Sequence, residues 1–547
     1  MKRAWDALAA HRDAIATLSL RQAFERDPGR AARMTREACG ILFDYSKNRL
    51  TDRTLECLLD LARASLLPDR IEAMFRGEPV NVTEGRAALH VALRQPGGTL
   101  PVEGVDVMPD VLAMRERMTE LARAVRSGDW RGHTGQPVAD VVSLGIGGSA
   151  LGPRMACQAL RHLAAASPRV HFVSTVDGSE LARVLAPLAP ETTLFIVASK
   201  SFTTQETMTN ARSARAWLLA NGVPEAAIAR HFVALSSNAQ AVAEFGIDPA
   251  QMLGFEDWVG GRYSVWSAIG LPVAIAVGPE AFSQMLDGAH AMDLHFRTAP
   301  MEANLPVLLA LVGIWNADLL GAATCAVAPY NECLALLPAH LQQLEMESNG
   351  KSVCLDGTPT PRPTSPVVWG NTGIDAQHAW FQMIHQGTQL VPVDFIVAID
   401  APGTLPGHQP ILLANCLAQA EALMCGRTAD EVRRELAAAG LTGEALEQAV
   451  PHRVFGGNRP SNMLMLDRVD PQTLGALVAL YEHKVFVQAA LWQVNAFDQW
   501  GVELGKVLAA RILPELTAEA GSPLPTSTRT HDASTTALIA RVRQRLA

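Results

Sequence analysis

The chain has 547 residues and a formal net charge of −9, from 46 Lys and Arg against 55 Asp and Glu. That balance argues against an open nucleic-acid surface and against long-range capture of an anionic substrate, so any anion site must be local. With 48 % hydrophobic and 18 % charged residues this is not a disordered chain, and at about 150 residues per domain it has room for roughly two to four domains.

The N-terminal run MKRAWDALAAHRDAI is broken by Asp6, Arg12 and Asp13 before an apolar core can form, so it does not read as a signal peptide. From residue 1 to 125 apolar positions recur three and four apart, which predicts a mostly helical segment. From 126 to 285 short apolar runs alternate with helical stretches: DVVSLGIGG, VHFVSTVDG, TLFIVASKS and HFVALSS. Such runs predict a parallel sheet covered on both faces. A second α/β domain is expected over 286–512, with strands near SVCLDG, PVVWGN and VDFIVAID, although its strand order is not readable. The most apolar stretch, from Leu305, carries Asn316 and Asp318 near its middle, which favours a buried helix over a membrane span. Residues 513–547 read as a C-terminal arm: a loop, SPLPTSTRT, and a final helix. The eight cysteines are scattered without a CxxC pair, so neither a disulfide framework nor a zinc ribbon is indicated, and a cytoplasmic location is expected.

Two strand-to-helix junctions carry candidate chemistry. Gly145-Ile146-Gly147-Gly148-Ser149-Ala150 fits the dinucleotide pattern G-x-G-x-x-G/A, and Asp177, near the end of the next strand, keeps a dehydrogenase reading open. The competing reading is a phosphate loop, in which glycines admit the backbone and Ser149 offers a hydroxyl. The second junction, Ser199-Lys200-Ser201-Phe202-Thr203-Thr204-Gln205-Glu206, is dense in hydroxyls that could be helix caps or ligand groups. In an open parallel sheet both junctions lie at the carboxyl edge, so they can surround one phosphoryl group.

The strings GIGGSALGP, SKSFTTQET, GGRYSVWSAIGLP, LQQLEMESNGK, QHAWFQMIHQGT, GGNRPS and YEHKVFVQAALWQVNAFDQWGVELGK, in this order, strongly resemble the glucose-6-phosphate isomerase (phosphoglucose isomerase) family. The resemblance runs from about Asn81 to the HDASTTALI near the end. It implies two sugar-isomerase-type doubly wound α/β domains, with a helical N-terminal segment and a C-terminal arm, in a cytoplasmic homodimer. The implied reaction is reversible conversion of glucose 6-phosphate to fructose 6-phosphate, in glycolysis and gluconeogenesis, with no metal or organic cofactor and no nucleic-acid or membrane partner.

Moving a carbonyl between C1 and C2 needs a base, and either Glu345 or Glu347 can supply one. The family motif MESNGK implies Glu347, with Gln343 one turn earlier as a substrate contact. Arg262, after Gly260-Gly261, fits the cation that stabilises an enediolate. His378 is the implied ring-opening residue, Glu206 its carboxylate partner, and His385 the structural alternative. Lys506 joins the catalytic set. Gly148, Ser149, Ser199, Lys200, Ser201, Thr204 and Gln499 are implied in phosphate or sugar binding. Gln499 and Lys506, seven apart, would share a face if they lay on one helix. Two departures from the family pattern stand out: Gly373-Ile374-Asp375-Ala376 before the Gln-His pair, and Ser201 in place of Thr.

Overall fold

Runs rich in Val, Ile, Phe and Leu become most of the strands. The strands are β1 (Thr35–Ala38), β2 (Ile41–Asp44), β3 (Pro101–Val102), β4 (Val105–Asp106), β5 (Asp140–Gly145), β6 (Arg169–Val173), β7 (Thr193–Ala198), β8 (Phe232–Leu235), β9 (Met252–Leu253), β10 (Thr324–Pro329), β11 (Val367–Gly370), β12 (Val393–Asp400) and β13 (Ser461–Arg468). The structure is a computed structural model describing residues 1–518 and 531–546. It falls into two units, Met1–Ala496 and Phe497–Ala547.

The larger unit holds two main sheets. One is wholly parallel in the order β6-β5-β7-β8-β9. Every residue of β5 and β7 is buried, the mark of a sheet covered on both faces. On one face Val142, Leu144, Phe195 and Val197 pack with Leu181, Leu185, Met208 and Leu218 from the helices Gly178–Leu185 and Gln205–Ala220. The other sheet has the order β1-β2-β13-β12-β10-β11, parallel from β11 to β13 and closed by the antiparallel pair β1 and β2. Phe395 and Val397 of β12 meet Phe381, Ile384, Cys416 and Leu423. The α/β expectation holds for both sheets.

The expectations are extended or changed at three points. The mostly helical N-terminal segment also carries strands, since residues 35–44 form a hairpin that extends the second sheet. SVCLDG is no strand and contributes only the isolated bridge Val353 to Pro359. In the parallel part of the second sheet, β10 and β13 arise from runs that carry no strand expectation. The apolar run from Leu305 forms the buried helix Leu305–Ile314 and a wider turn to Leu319 before β10 begins. Among the described residues, the helix long and apolar enough to cross a membrane is Pro471–Trp492, and it is enclosed by the larger unit. Its buried charges are matched rather than solvated: Arg94 binds Asp293 and Glu482, and His483 binds Asp293.

In the smaller unit the helix Glu503–Thr517 is followed, after the undescribed residues, by Ala533–Leu546. His531 pairs with Glu515 at 3.0 Å. The SPLPTSTRT loop lies outside the described residues.

Candidate active site

The two loops singled out in the sequence leave one sheet edge side by side, since Gly145 at the end of β5 pairs with Ala198 at the end of β7. The first loop turns through Gly147, whose φ of +57° and ψ of −123° exclude residues with a Cβ. Gly148 is required for a different reason: a Cβ there would stand 2.1 Å from the Gly261 carbonyl oxygen. That contact sets the start of the helix Gly148–Ala159 directly against Gly261-Arg262. A Cβ at Gly147 would lie 3.3 Å from Gln343 Nε2, so the 343–347 segment borders the same loop.

The hydroxyl loop is held by its neighbours. Ser236 and Ser237, after β8, each donate to the Lys200 carbonyl at 2.9 Å, and Asn238 Nδ2 donates to the Ser201 carbonyl. Phe202 takes a left-handed φ of +56° with its ring buried and edge-on to Phe245; about 1–3 kcal/mol of backbone strain persists because the ring is anchored. Thr204 occupies the N-cap position of the next helix but makes no side-chain cap bond. Its Oγ1 instead accepts from Ser199 Oγ at 3.1 Å. Ser201 and Thr203 are joined at 2.6 Å. Lys200 points toward the 256–257 loop, where its Nζ donates to the Asp257 carbonyl and pairs with that carboxylate, each at 3.1 Å.

Glu347 ends a π-helical turn, Gln343–Glu347, a local widening often found where a side chain must be re-aimed. It accepts from Gln343 Nε2 at 3.0 Å and stands 3.6 Å from Arg262 Nη1. Its side chain is 20 % exposed, whereas that of Glu345 is 3 % exposed and bonded to buried Lys484 at 2.6 Å. Burial works against the Lys484 charge, yet the nearby Glu345 and Asp394 carboxylates together keep the ammonium pKa above its usual value. Glu345 therefore holds a buried cation and Glu347 faces Arg262. Arg262 itself is buried, its Nε donating to Ser348 Oγ and its Nη2 to the Ala496 carbonyl. Glycine loop, guanidinium, amide and carboxylate thus converge at the carboxyl edge of the parallel sheet.

The phosphoglucose isomerase family profile matches residues 44–539. The chain belongs to the phosphoglucose isomerase family. It is 55 % identical to glucose-6-phosphate isomerase 1 of Chromobacterium violaceum, over 98 % of this chain and 97 % of that relative. Glucose-6-phosphate isomerase of Deinococcus deserti is 56 % identical over 99 % of this chain and 98 % of its own length. The crystal structure of a glucose-6-phosphate isomerase from Chlamydia trachomatis superposes with a TM-score of 0.84 at 32 % identity, covering 100 % of this chain and 99 % of that one.

The family resemblance implicates further residues. His378 is on the helix Gly373–Ala379 and lines an open cavity of about 700 Å³ with Tyr330, Asn331 and His408. Neither Glu206 nor Glu347 lines that cavity, and among the described residues no hydrogen bond or ion pair joins Glu206 to His378. His385 bonds to Gln419. In the Phe497–Ala547 unit, Gln499 is not helical: it precedes a 3₁₀ turn, and the helix carrying Lys506 starts at Glu503. The shared helical face expected for Gln499 and Lys506 is therefore corrected. Lys506 pairs with Glu503 at 2.9 Å. Asp177, the residue that kept a dinucleotide reading open, caps the helix Gly178–Leu185 by accepting from the Ser179 amide at 3.0 Å.

Sequence reasoning missed the supports of this site. Ser348 and Lys351 lie inside the MESNGK motif, yet only the fold shows Lys351 Nζ capping the carbonyls of Glu347, Ser348 and Asn495. Ser236, Ser237 and Asn238 gave one signal, a Ser-Ser-Asn run directly after a strand.

Proposed function

We propose that this chain interconverts glucose 6-phosphate and fructose 6-phosphate through a cis-enediol, as its family membership implies. The observation that carries the residue assignment is the half-buried Glu347 carboxylate, 3.6 Å from a buried guanidinium and beside a glycine loop at a helix start. Glu347 removes the proton from C2 of the open-chain aldose and returns it at C1, while the hydroxyl proton passes from O2 to O1. The exchange is balanced within the sugar, so no net oxidant is consumed. Arg262 stabilises the negative charge that develops on the enediolate oxygens; a preorganised donor of this kind is worth about 3 kcal/mol.

The phosphoryl group is held by Ser149, Ser199, Ser201 and Thr204 with the backbone amide of Gly148. This reading is supported by Thr204 leaving its cap role unfilled and by the fixed loop geometry. Gln343 orients the Glu347 carboxylate and contacts substrate. Ring opening is assigned to His378, with Glu206 as its carboxylate partner, and to Lys506; Gln499 and Lys200 complete the substrate contacts. These last assignments rest on the family resemblance. The homodimer and the cytoplasmic location are proposed on the same ground.

A coupled assay starting from fructose 6-phosphate tests the activity. Steady production of glucose 6-phosphate, unchanged by a chelator, is expected. No turnover, or loss of turnover on chelation, would refute the proposed reaction.

A further inference from the structure

Arg262 directs its three nitrogens to Ser348, Ala496 and Glu347, and its side chain also bonds that of Tyr263. Its Nε donates to Ser348 Oγ at 2.6 Å, its Nη2 to the Ala496 carbonyl at 2.5 Å, and its Nη1 lies 3.6 Å from Glu347 Oε2. A guanidinium is a rigid planar fork, so fixing Nε and Nη2 also fixes the direction of Nη1. The Ser348 hydroxyl, fully buried, is in turn bonded to the Tyr263 hydroxyl at 2.9 Å. Tyr263 is buried too, and its ring is stacked on His90 at 4.6 Å. Burial raises the phenol pKa against the pull of the nearby Arg262 charge, so the hydroxyl stays protonated. Ser348 also follows Glu347 in the chain, and its carbonyl accepts from Lys351 Nζ at 2.8 Å. One residue therefore joins the backbone of the carboxylate to the side chain of the cation.

We propose that the Ser348 hydroxyl, locked by Tyr263, is a positioning group that aims the Arg262 guanidinium at the reacting oxygens beside Glu347. This rests on the catalytic reading of Arg262 and Glu347 given above. Ser348 touches no substrate atom in this scheme and acts only through Arg262. A hydroxyl has two lone pairs and one proton, enough to accept from Nε and complete a bond with the phenol, and in a buried setting no solvent replaces it.

The test is steady-state kinetics of the full chain carrying Ser348→Ala, Tyr263→Phe, Arg262→Lys and the pairs with Arg262→Lys, with melting followed in parallel. Ser348→Ala is expected to lower kcat by about 10- to 100-fold, as for an angstrom-scale misplacement, with KM within about twofold. Tyr263→Phe should lower kcat by a smaller factor in the same direction. Lysine has no Nε to be aimed, so adding Ser348→Ala to Arg262→Lys should change kcat by less than about twofold. Wild-type kcat in both hydroxyl variants overturns the proposal. So does a loss from Ser348→Ala that multiplies in full with that of Arg262→Lys. If Ser348→Ala does not fold, the Ser348→Cys and Arg262→Lys cycle decides by the same criterion. Wild-type kcat in Arg262→Lys would instead remove the catalytic reading of Arg262, and the role of Ser348 with it.

Discussion

Two carboxylates two residues apart divide the work at the end of the 343–347 turn. Glu345 neutralises Lys484 where water is excluded, and removing one member of a buried pair leaves an uncompensated charge costing about 3–5 kcal/mol. Glu345→Gln should therefore lower the unfolding midpoint sharply. Glu347→Gln should keep the unfolding free energy within about 0.5 kcal/mol of wild type and lower kcat by at least about a hundredfold, the lower end for a positioned base. Melting curves and the coupled assay on both variants separate the roles; an active Glu347→Gln enzyme would rule out that base. From the sequence the two carboxylates were separable only through the family motif. The fold separates them through Lys484, which is 139 residues from Glu345 and so invisible to any local pattern.

At the scale of elements, the glycine runs were legible but their reasons were not. The sequence suggests that Gly260-Gly261 admit a close backbone approach ahead of Arg262. In the fold the approach is made by the Gly261 carbonyl, and the residue that must lack a Cβ is Gly148, across the contact; a Cβ on Gly261 itself meets nothing within 4 Å. Gly148→Ala should overpack this contact at a cost of about 1–3 kcal/mol and lose most activity, while Gly261→Ala should fold and melt within about 0.5 kcal/mol of wild type. Paired melting and turnover measurements check both. The four strands β5 to β8 were readable because each is a short run rich in Val, Leu or Phe that ends in a polar turn. β10 was hidden at the end of a long apolar helix, β13 alternates Met and Leu without a clear signature, and β1 has no buried residue.

For the whole molecule, net charge and buried titration make separate predictions. An anionic substrate approaches a chain of charge −9, so raising ionic strength from about 0.01 to 0.15 M, where the screening length falls from about 30 to 8 Å, should leave kcat/KM level or slightly higher. A steep fall would reveal long-range steering. Stability has its own pH term in Asp318, which accepts from Trp492 Nε1 at 3.0 Å and has an unpartnered Oδ1 among the described residues. Burial pushes its pKa up to about 7. A carboxyl raised in the folded state contributes stability that is full below about pH 4 and is lost as pH rises through about 7. Asp318→Asn should match wild type near pH 4 and melt higher at pH 8, by about 1–3 kcal/mol. Parallel melting profiles between pH 5 and 8 would refute this.

By itself the sequence determined the α/β class, the two loops at one sheet edge and, through its motifs, the family, because strand periodicity, turn residues and short ligand-binding strings are local. Tertiary structure decided what depends on distant residues meeting. The hairpin at 35–44 completes a sheet whose other strands begin at residue 324. Gln499 and Lys506 lie on different elements, and Glu347 rather than Glu345 faces Arg262. Close contacts between backbones and buried charge pairs set these outcomes, and neither leaves a periodic trace along the chain.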